Sequence, residues 1–224
     1  MAKLGTLTIG QAPRADITPI LDAAIGAALP RRHAGVLDGL TADEIARGFA
    51  ARPGRPVLIT KLLDGSSVVI DRERTEAAAR DKLALLEAEG CSTILMLCTG
   101  HFGTLACRTA RLIEPDRILP ATVAALARDA QLGIIVPLAE QIESESGKWA
   151  PLERPPVYAA ASPYGGPGST PAEAGRDLAR RGAQILLLDC MGFVESHRRQ
   201  VAQAAGLPVI LSNSLIAKLV SEVV

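Results

Sequence analysis

Seven short stretches of this chain, at residues 4–9, 57–60, 93–98, 132–136, 157–161, 185–189 and 209–211, are almost unbroken runs of apolar or small side chains. A strand with one wet face alternates apolar and polar residues, whereas a run apolar at every position must be covered on both faces. Between these runs lie longer amphipathic stretches at 16–29, 72–89, 121–128, 171–181 and 194–205, with a last one at 214–223. Doubly covered strands separated by helices build mainly parallel sheets, so the spacing predicts an α/β chain. Thr170-Pro-Ala-Glu173 opens a helix with a capping hydroxyl, a proline at the first helical position and an acid in the first turn. Gly90 and Gly182 stand where a helical pattern stops and a strand begins, as glycines just past helix ends do. Asp64-Gly65, between apolar runs, marks one antiparallel hairpin. Residues 162–169, rich in Pro and Gly and carrying Tyr164, must be a loop.

With 224 residues, the chain holds one large domain or two smaller lobes. Hydrophobic residues at 48% exclude a disordered chain. Lys plus Arg and Asp plus Glu number 24 each, a balance that leaves no electrostatic footprint for a phosphate backbone. Three Phe, one Trp and two Tyr are too few for a base-stacking platform. Nucleic acid is therefore not an expected partner. No apolar run reaches the roughly 18 residues of a membrane span, and the first residues lack the apolar stretch of a secretory signal. Four cysteines in a chain of this length make no disulfide scaffold, so the expected compartment is the reducing cytoplasm.

Two of those cysteines share a context. Ile94-Leu-Met-Leu-Cys98-Thr-Gly100 and Ile185-Leu-Leu-Leu-Asp-Cys190-Met-Gly192 are each an apolar strand, then Cys, one residue, and Gly, followed by a turn toward a helix. They lie nearly half a chain length apart, which suggests two similar lobes. Ligands of open parallel sheets bind beyond the carboxyl ends of the strands. A thiol there meets backbone N–H groups and the positive end of a helix dipole, which favour the thiolate. Two such thiols facing one ligand can remove a proton from one side of a carbon and deliver one to the other, with no metal, flavin or pyridoxal. The bland alternative is a small buried hydrophobe, the reading assigned to Cys91 and Cys107, which do not end strands at glycine turns.

The paired strand–Cys–turn units resemble those of the aspartate/glutamate racemase superfamily, which includes hydantoin racemases, maleate isomerase and arylmalonate decarboxylase. More closely, the chain resembles the AroM family within that group. The stretches that carry the likeness are Leu7-Thr-Ile-Gly-Gln-Ala-Pro-Arg14, Ile118-Leu-Pro120, Val136-Pro137, Leu188-Asp-Cys-Met-Gly-Phe193 and Pro208-Val-Ile-Leu-Ser-Asn213. The resemblance implies two pseudo-symmetric α/β lobes with a cleft between them, expected over 1–117 plus 212–224 and over 118–211. It places Cys98 and Cys190 at the two catalytic thiol positions and Thr99 where small polar residues hold substrate carboxylate. It implies a cofactor-independent racemase, epimerase or isomerase acting on a small carboxylate, amino-acid derivative or cyclic imide, and a homo-oligomer. Amino-acid racemases commonly have Thr after the second cysteine; here Met191 follows, and Cys190-Met-Gly192 is closer to the hydantoin racemase pattern. A decarboxylase or cis–trans isomerase needing one thiol, and a ligand-binding regulator without turnover, remain as alternatives.

Around the thiols, Thr99, Gly100, Met191 and Gly192 are candidate substrate contacts through backbone N–H groups and small side chains. His101 either assists Cys98 or is a surface or capping residue. Gln11 and Arg14, in Gln11-Ala-Pro-Arg14 just past the first strand, are candidate substrate contacts; Arg14 either offers its two-donor fork to a carboxylate or forms an ordinary ion pair at a helix start. Tyr164 is a candidate contact from a loop able to act as a lid, and Asn213 caps the last helix or reaches the ligand. Asp189 is expected to cap a neighbouring element or pair with an arginine, and His197 to lie on a solvated basic helix face. Cys91, Cys98, His101 and Cys107 match no usual zinc spacing.

Overall fold

In the computed structural model, which describes residues 3–224, six of the seven apolar runs are parallel strands, and the seventh pairs antiparallel in the hairpin. Packing divides the chain into two units. The first holds the chain through Cys98, Phe102–Pro115 and Ala217–Val224; the second holds Thr99–His101 and Asp116–Ile216.

The first unit runs β1 (Leu4–Thr8), α1 (Thr18–Ile25), β2 (Arg31–Gly35), α2 (Ala42–Phe49), the hairpin β3 (Val57–Lys61) and β4 (Ser67–Asp71), α3 (Arg72–Ala88), β5 (Thr93–Met96) and β6 (Arg111–Ile113). Then follow α4 (Pro115–Ala127), β7 (Leu132–Val136), α5 (Glu140–Glu145), a 3₁₀ turn (Ser146–Trp149), β8 (Val157–Ala160), α6 (Pro171–Arg180), β9 (Ile185–Leu188), α7 (Glu195–Ala205), β10 (Val209–Leu211) and α8 (Ser212–Val220).

The first sheet has the order β2-β1-β5-β6 and the second β8-β7-β9-β10, every pair parallel. Numbered within its own unit, each sheet reads second, first, third, fourth strand, with the β3–β4 hairpin inserted in the first. Both sheets therefore change direction of winding between their first and third strands, β1/β5 and β7/β9. Loops diverge at the carboxyl ends of such a pair and leave a crevice there. Each sheet has its own core. Leu7, Ile94 and Met96 pack with Ala79, Leu83 and Leu86 of α3 in the first. Ile135, Leu186 and Leu188 pack with Leu178 of α6 and Val201 of α7 in the second. Gly90 and Gly182, past the ends of α3 and α6, have φ of 85° and 89°, a region open to glycine at no steric cost.

Several elements depart from the sequence expectation, among them α5 and the 3₁₀ turn, which no stretch of the residue pattern announced. The helix expected from 121 begins at Pro115, because Pro120 is tolerated inside α4 and removes only the bond its N–H would give to Asp116. Strand β2, Arg-Arg-His-Ala-Gly, is a sheet edge whose first residues are partly exposed, so it carries no apolar signature. Strand β6 is a three-residue edge. Helix α2 was readable from Thr41 and Glu44, which form a reciprocal capping box. His197 corrects the expectation of a solvated face. It is half-buried at the third position of α7, where Nδ1 accepts the Val194 N–H at 3.1 Å and the ring meets Phe193 edge-on at 5.7 Å. Burial pushes its pKa down. No helix among the described residues is long and apolar enough to cross a membrane.

The segment entering β6 is held by one carboxylate. Glu87 accepts the N–H groups of Arg108, Thr109 and Ala110 at 3.1, 2.6 and 2.8 Å, which holds its pKa down to about 2. A depressed carboxylate stabilises the fold fully above its unfolded pKa and loses that contribution as pH falls through the folded value. Thermal stability should fall between about pH 4.5 and 2 more steeply in the parent protein than in Glu87→Gln, a difference that melting curves across that range would measure.

Candidate functional site

Cys98 and Cys190 each stand two residues past the end of corresponding strands, β5 and β9, at the winding reversal of their own sheets. All four cysteines are thiols rather than disulfides. Cys98 is 8% exposed and belongs to the core of the first unit. Cys190 is partly exposed, and the Gly192 N–H points at its sulfur from 3.4 Å, a donor that stabilises a thiolate. Cys91 and Cys107 are in the opposite situation. Burial pushes both thiols up, Cys107 to about 11 with Glu87 and Glu114 adding to the effect. Alkylation by iodoacetamide at pH 7, followed by peptide mass, should label Cys190 first and leave Cys91 and Cys107 unmodified; early labelling of Cys107 would contradict this environment.

The Cys190 turn is built from behind by the start of α8. Asn213, fully buried, donates through Nδ2 to the carbonyls of Met191 and Phe193 at 2.8 and 2.5 Å, and Ser212 donates to the Cys190 carbonyl at 3.2 Å. Met191 is 1% exposed, so its side chain is core. Gly192 is required by close approach: a Cβ there would lie 2.3 Å from the Tyr164 hydroxyl and 2.6 Å from its ring. The loop that carries Tyr164 is thus folded against the Cys190 turn.

The three residues after Cys98 pack within the second unit. Thr99 Oγ1 donates to the Asp189 carbonyl at 3.2 Å. Gly100 is buried, and the His101 N–H donates to Glu145 Oε2 at 3.3 Å. The His101 ring is 57% exposed, with Nδ1 held at 2.8 Å by Asp116, a carboxylate only 3% exposed in the first turn of α4. Asp189 pairs with Lys148 at 2.6 Å, not with an arginine. Sequence reading missed Lys148, Glu145 and Asp116. The first two sit in an ordinary polar stretch, and nothing local announces that the fold buries them.

Gln11 and Arg14 lie in the first unit with their polar groups engaged. The Gln11 amide donates to the carbonyls of Leu37 and Leu40, both at 3.3 Å, and accepts from the Leu63 N–H at 2.9 Å. It fastens the hairpin and the loop after β2 to the end of β1. The Arg14 guanidinium, 5% exposed, places Nε and Nη2 on the two oxygens of Asp16 at 2.9 and 2.7 Å. Its two-donor edge thus faces an internal carboxylate, the ion-pair alternative of the sequence reading. Among the described residues, no group of three His, Cys, Asp or Glu is placed to hold a metal ion.

No functionally curated protein matches this sequence. Solved structures do match in fold across nearly the whole chain. Glutamate racemase from Aquifex pyrophilus superposes with a TM-score of 0.63 at 10% identity, covering 99% of this chain and 84% of its own. Aspartate racemase from Picrophilus torridus gives 0.57 at 12%, covering 99% and 95%. Allantoin racemase from Pseudomonas fluorescens gives 0.54 at 14%, covering 98% and 89%. At such identities the likeness is one of fold: a two-unit α/β architecture with parallel sheets. The family profile described as AroM protein matches residues 4–224, all but the first three positions, and the chain belongs to the AroM family.

Proposed function

We propose that this protein is a cofactor-independent racemase, epimerase or isomerase of a small carboxylate or cyclic imide, working by proton transfer through Cys98 and Cys190. The observation that carries the proposal is the matched placement of the two thiols. Each follows the third strand of a sheet with the same strand order, where open α/β sheets take ligands. In the reaction one thiolate takes the hydrogen on the carbon next to a carbonyl. The C–H bond breaks, an S–H bond forms, and the electron pair spreads onto the carbonyl or carboxylate oxygen. The opposite thiol then gives its proton to the other face of that carbon and becomes the thiolate. Backbone N–H groups of the turns that follow the two cysteines, Thr99–Gly100 and Met191–Gly192, hold the developing negative charge. His101, oriented through Nδ1 by buried Asp116, and Tyr164, lying over Gly192, are the side chains best disposed to contact the rest of the substrate.

The structural neighbours act, by their names, on aspartate, glutamate and allantoin. All three carry an acidic carbon beside a carbonyl group. The likeness of Cys190-Met-Gly192 to the hydantoin racemase pattern favours an amide or imide carbonyl over a free α-amino acid. The protein would work in a reducing cytoplasm, where both thiols stay available. Incubation in deuterium oxide with a panel of hydantoins, ureides, amino acids and hydroxy acids tests the reading, because inversion must exchange the hydrogen on the stereocentre. Deuterium gain of one mass unit together with loss of optical rotation supports it. Binding without exchange over the whole panel would mark a non-catalytic sensor and overturn it.

A further inference from the structure

The second unit contains a buried charged cluster with no part in the chemistry above. The Lys148 side chain is 6% exposed, yet its ammonium lies among oxygen atoms. These include Asp189 Oδ2 at 2.6 Å, the Thr99 carbonyl at 3.0 Å and Glu145 Oε2 at 3.7 Å. The two carboxylates are 1% and 4% exposed. Glu145 also accepts the His101 N–H, and the Thr99 hydroxyl donates to the Asp189 carbonyl. One cation therefore joins the residue that follows Cys98 to the residue that precedes Cys190. It comes from the segment after β7, the strand beside β9 at the winding reversal.

Burying such a cluster costs desolvation that apolar packing would avoid, so stability alone is a weak reason for its presence. We infer that Lys148 is a positioning residue for the proposed thiol chemistry: it fixes the Thr99–His101 backbone to Asp189 and offsets the carboxylate charge next to the Cys190 turn. The inference rests on the two-thiol reading. With its ammonium engaged by the Thr99 carbonyl and Asp189, Lys148 acts through those two residues rather than on the substrate.

Charged and titratable groups near the Cys190 turn include Asp189 beside it, Lys148 and Glu145 from the segment after β7, His101 bonded through its N–H to Glu145, the Tyr164 phenol over Gly192, and His197 at the start of α7 against Phe193. Tyr158 on β8 also senses both carboxylates; its pKa is pushed up to about 12 by burial first, then by Asp189 and Glu145. Without the ammonium, the charge of Asp189, next to Cys190 in the chain, and of Glu145 is left uncompensated, and a thiolate becomes harder to form.

The test is the rate of Cys190 alkylation by iodoacetamide against pH, which needs no substrate. Lys148→Met should move the midpoint up by about one pH unit and slow the reaction at pH 7 about tenfold. Lys148→Arg keeps the charge and should stay within a few tenths of the parent. If Lys148→Met does not fold, Lys148→Met with Glu145→Gln removes one buried carboxylate with the cation and leaves Asp189, the residue next to Cys190, without its partner, so the midpoint should still rise. An unchanged profile in a folded variant overturns the inference. Failure of both variants to fold does the same, since Lys148 is then a stability residue only. An unmoved profile beside active hydrogen exchange sinks the role of Lys148 alone. A shifted profile with no exchange on any compound sinks the racemase reading alone.

Discussion

Cys98→Ser and Cys190→Ser should each lower racemisation or isomerisation by about 10²–10⁴-fold, the range that a single positioned proton-transfer group contributes. A serine hydroxyl is nearly the size of a thiol but is not an alkoxide at neutral pH, so it replaces neither the base nor the acid. The distinctive outcome concerns exchange rather than inversion. Each thiol serves one face of the substrate carbon, so each single variant should still exchange deuterium into the enantiomer whose hydrogen meets the surviving thiol, while failing to invert it. The double variant should lose exchange on both enantiomers, and its effect on inversion should be far smaller than the product of the single effects, because the two groups act as one unit. Stereochemically resolved mass spectrometry in deuterium oxide measures all of this. Full activity in both single variants sinks the two-thiol scheme. Loss in only one redirects it to a single-thiol reaction such as decarboxylation.

The parts of the architecture that the sequence made legible are the ones in which packing leaves little choice. Runs such as Ile94–Leu97 and Ile185–Leu188 are apolar at every position because both faces of those strands are covered, and they appear as the buried centres of the two sheets. Strands β2 and β6 were hidden for the converse reason. At a sheet edge, residues such as Arg31, Arg32 and Arg111 are compatible with pairing, and the periodicity disappears. The thiol positions were legible because the strand–Cys–x–Gly unit occurs twice and both copies fall on equivalent strands. Their surroundings were not. Gln11 and Arg14 read as ligand groups from their place after β1, but an amide or a guanidinium past a strand end serves equally well to tie loops together. Only the positions of Leu37, Leu63 and Asp16 decide between the two uses. Lys148, Glu145 and Asp116 become significant only when the chain folds back over distances that no local pattern encodes.

Asn213→Ala should destabilise the protein by about 3 kcal/mol, since it strips the Met191 and Phe193 carbonyls of their donor and leaves a small void among buried groups. For a chain of this size that corresponds to a melting point lower by roughly 6–12 °C. The consequence should reach the chemistry, because the same two hydrogen bonds shape the Cys190–Met191–Gly192 turn and so aim the Gly192 N–H at the Cys190 sulfur. With the turn loosened, that donor is no longer held in line, and the alkylation midpoint of Cys190 should rise while that of Cys98 stays unchanged. Asn213→Asp makes the sharper comparison. It keeps the volume but turns an acceptor toward two carbonyl oxygens, so it should be at least as damaging as alanine in spite of its near-identical shape. Melting curves and alkylation profiles of the two variants measure both effects. If Asn213→Asp is as stable as the parent, the buried amide is not what holds the turn, and the Cys190 environment must be set by Ser212 and Tyr164 instead.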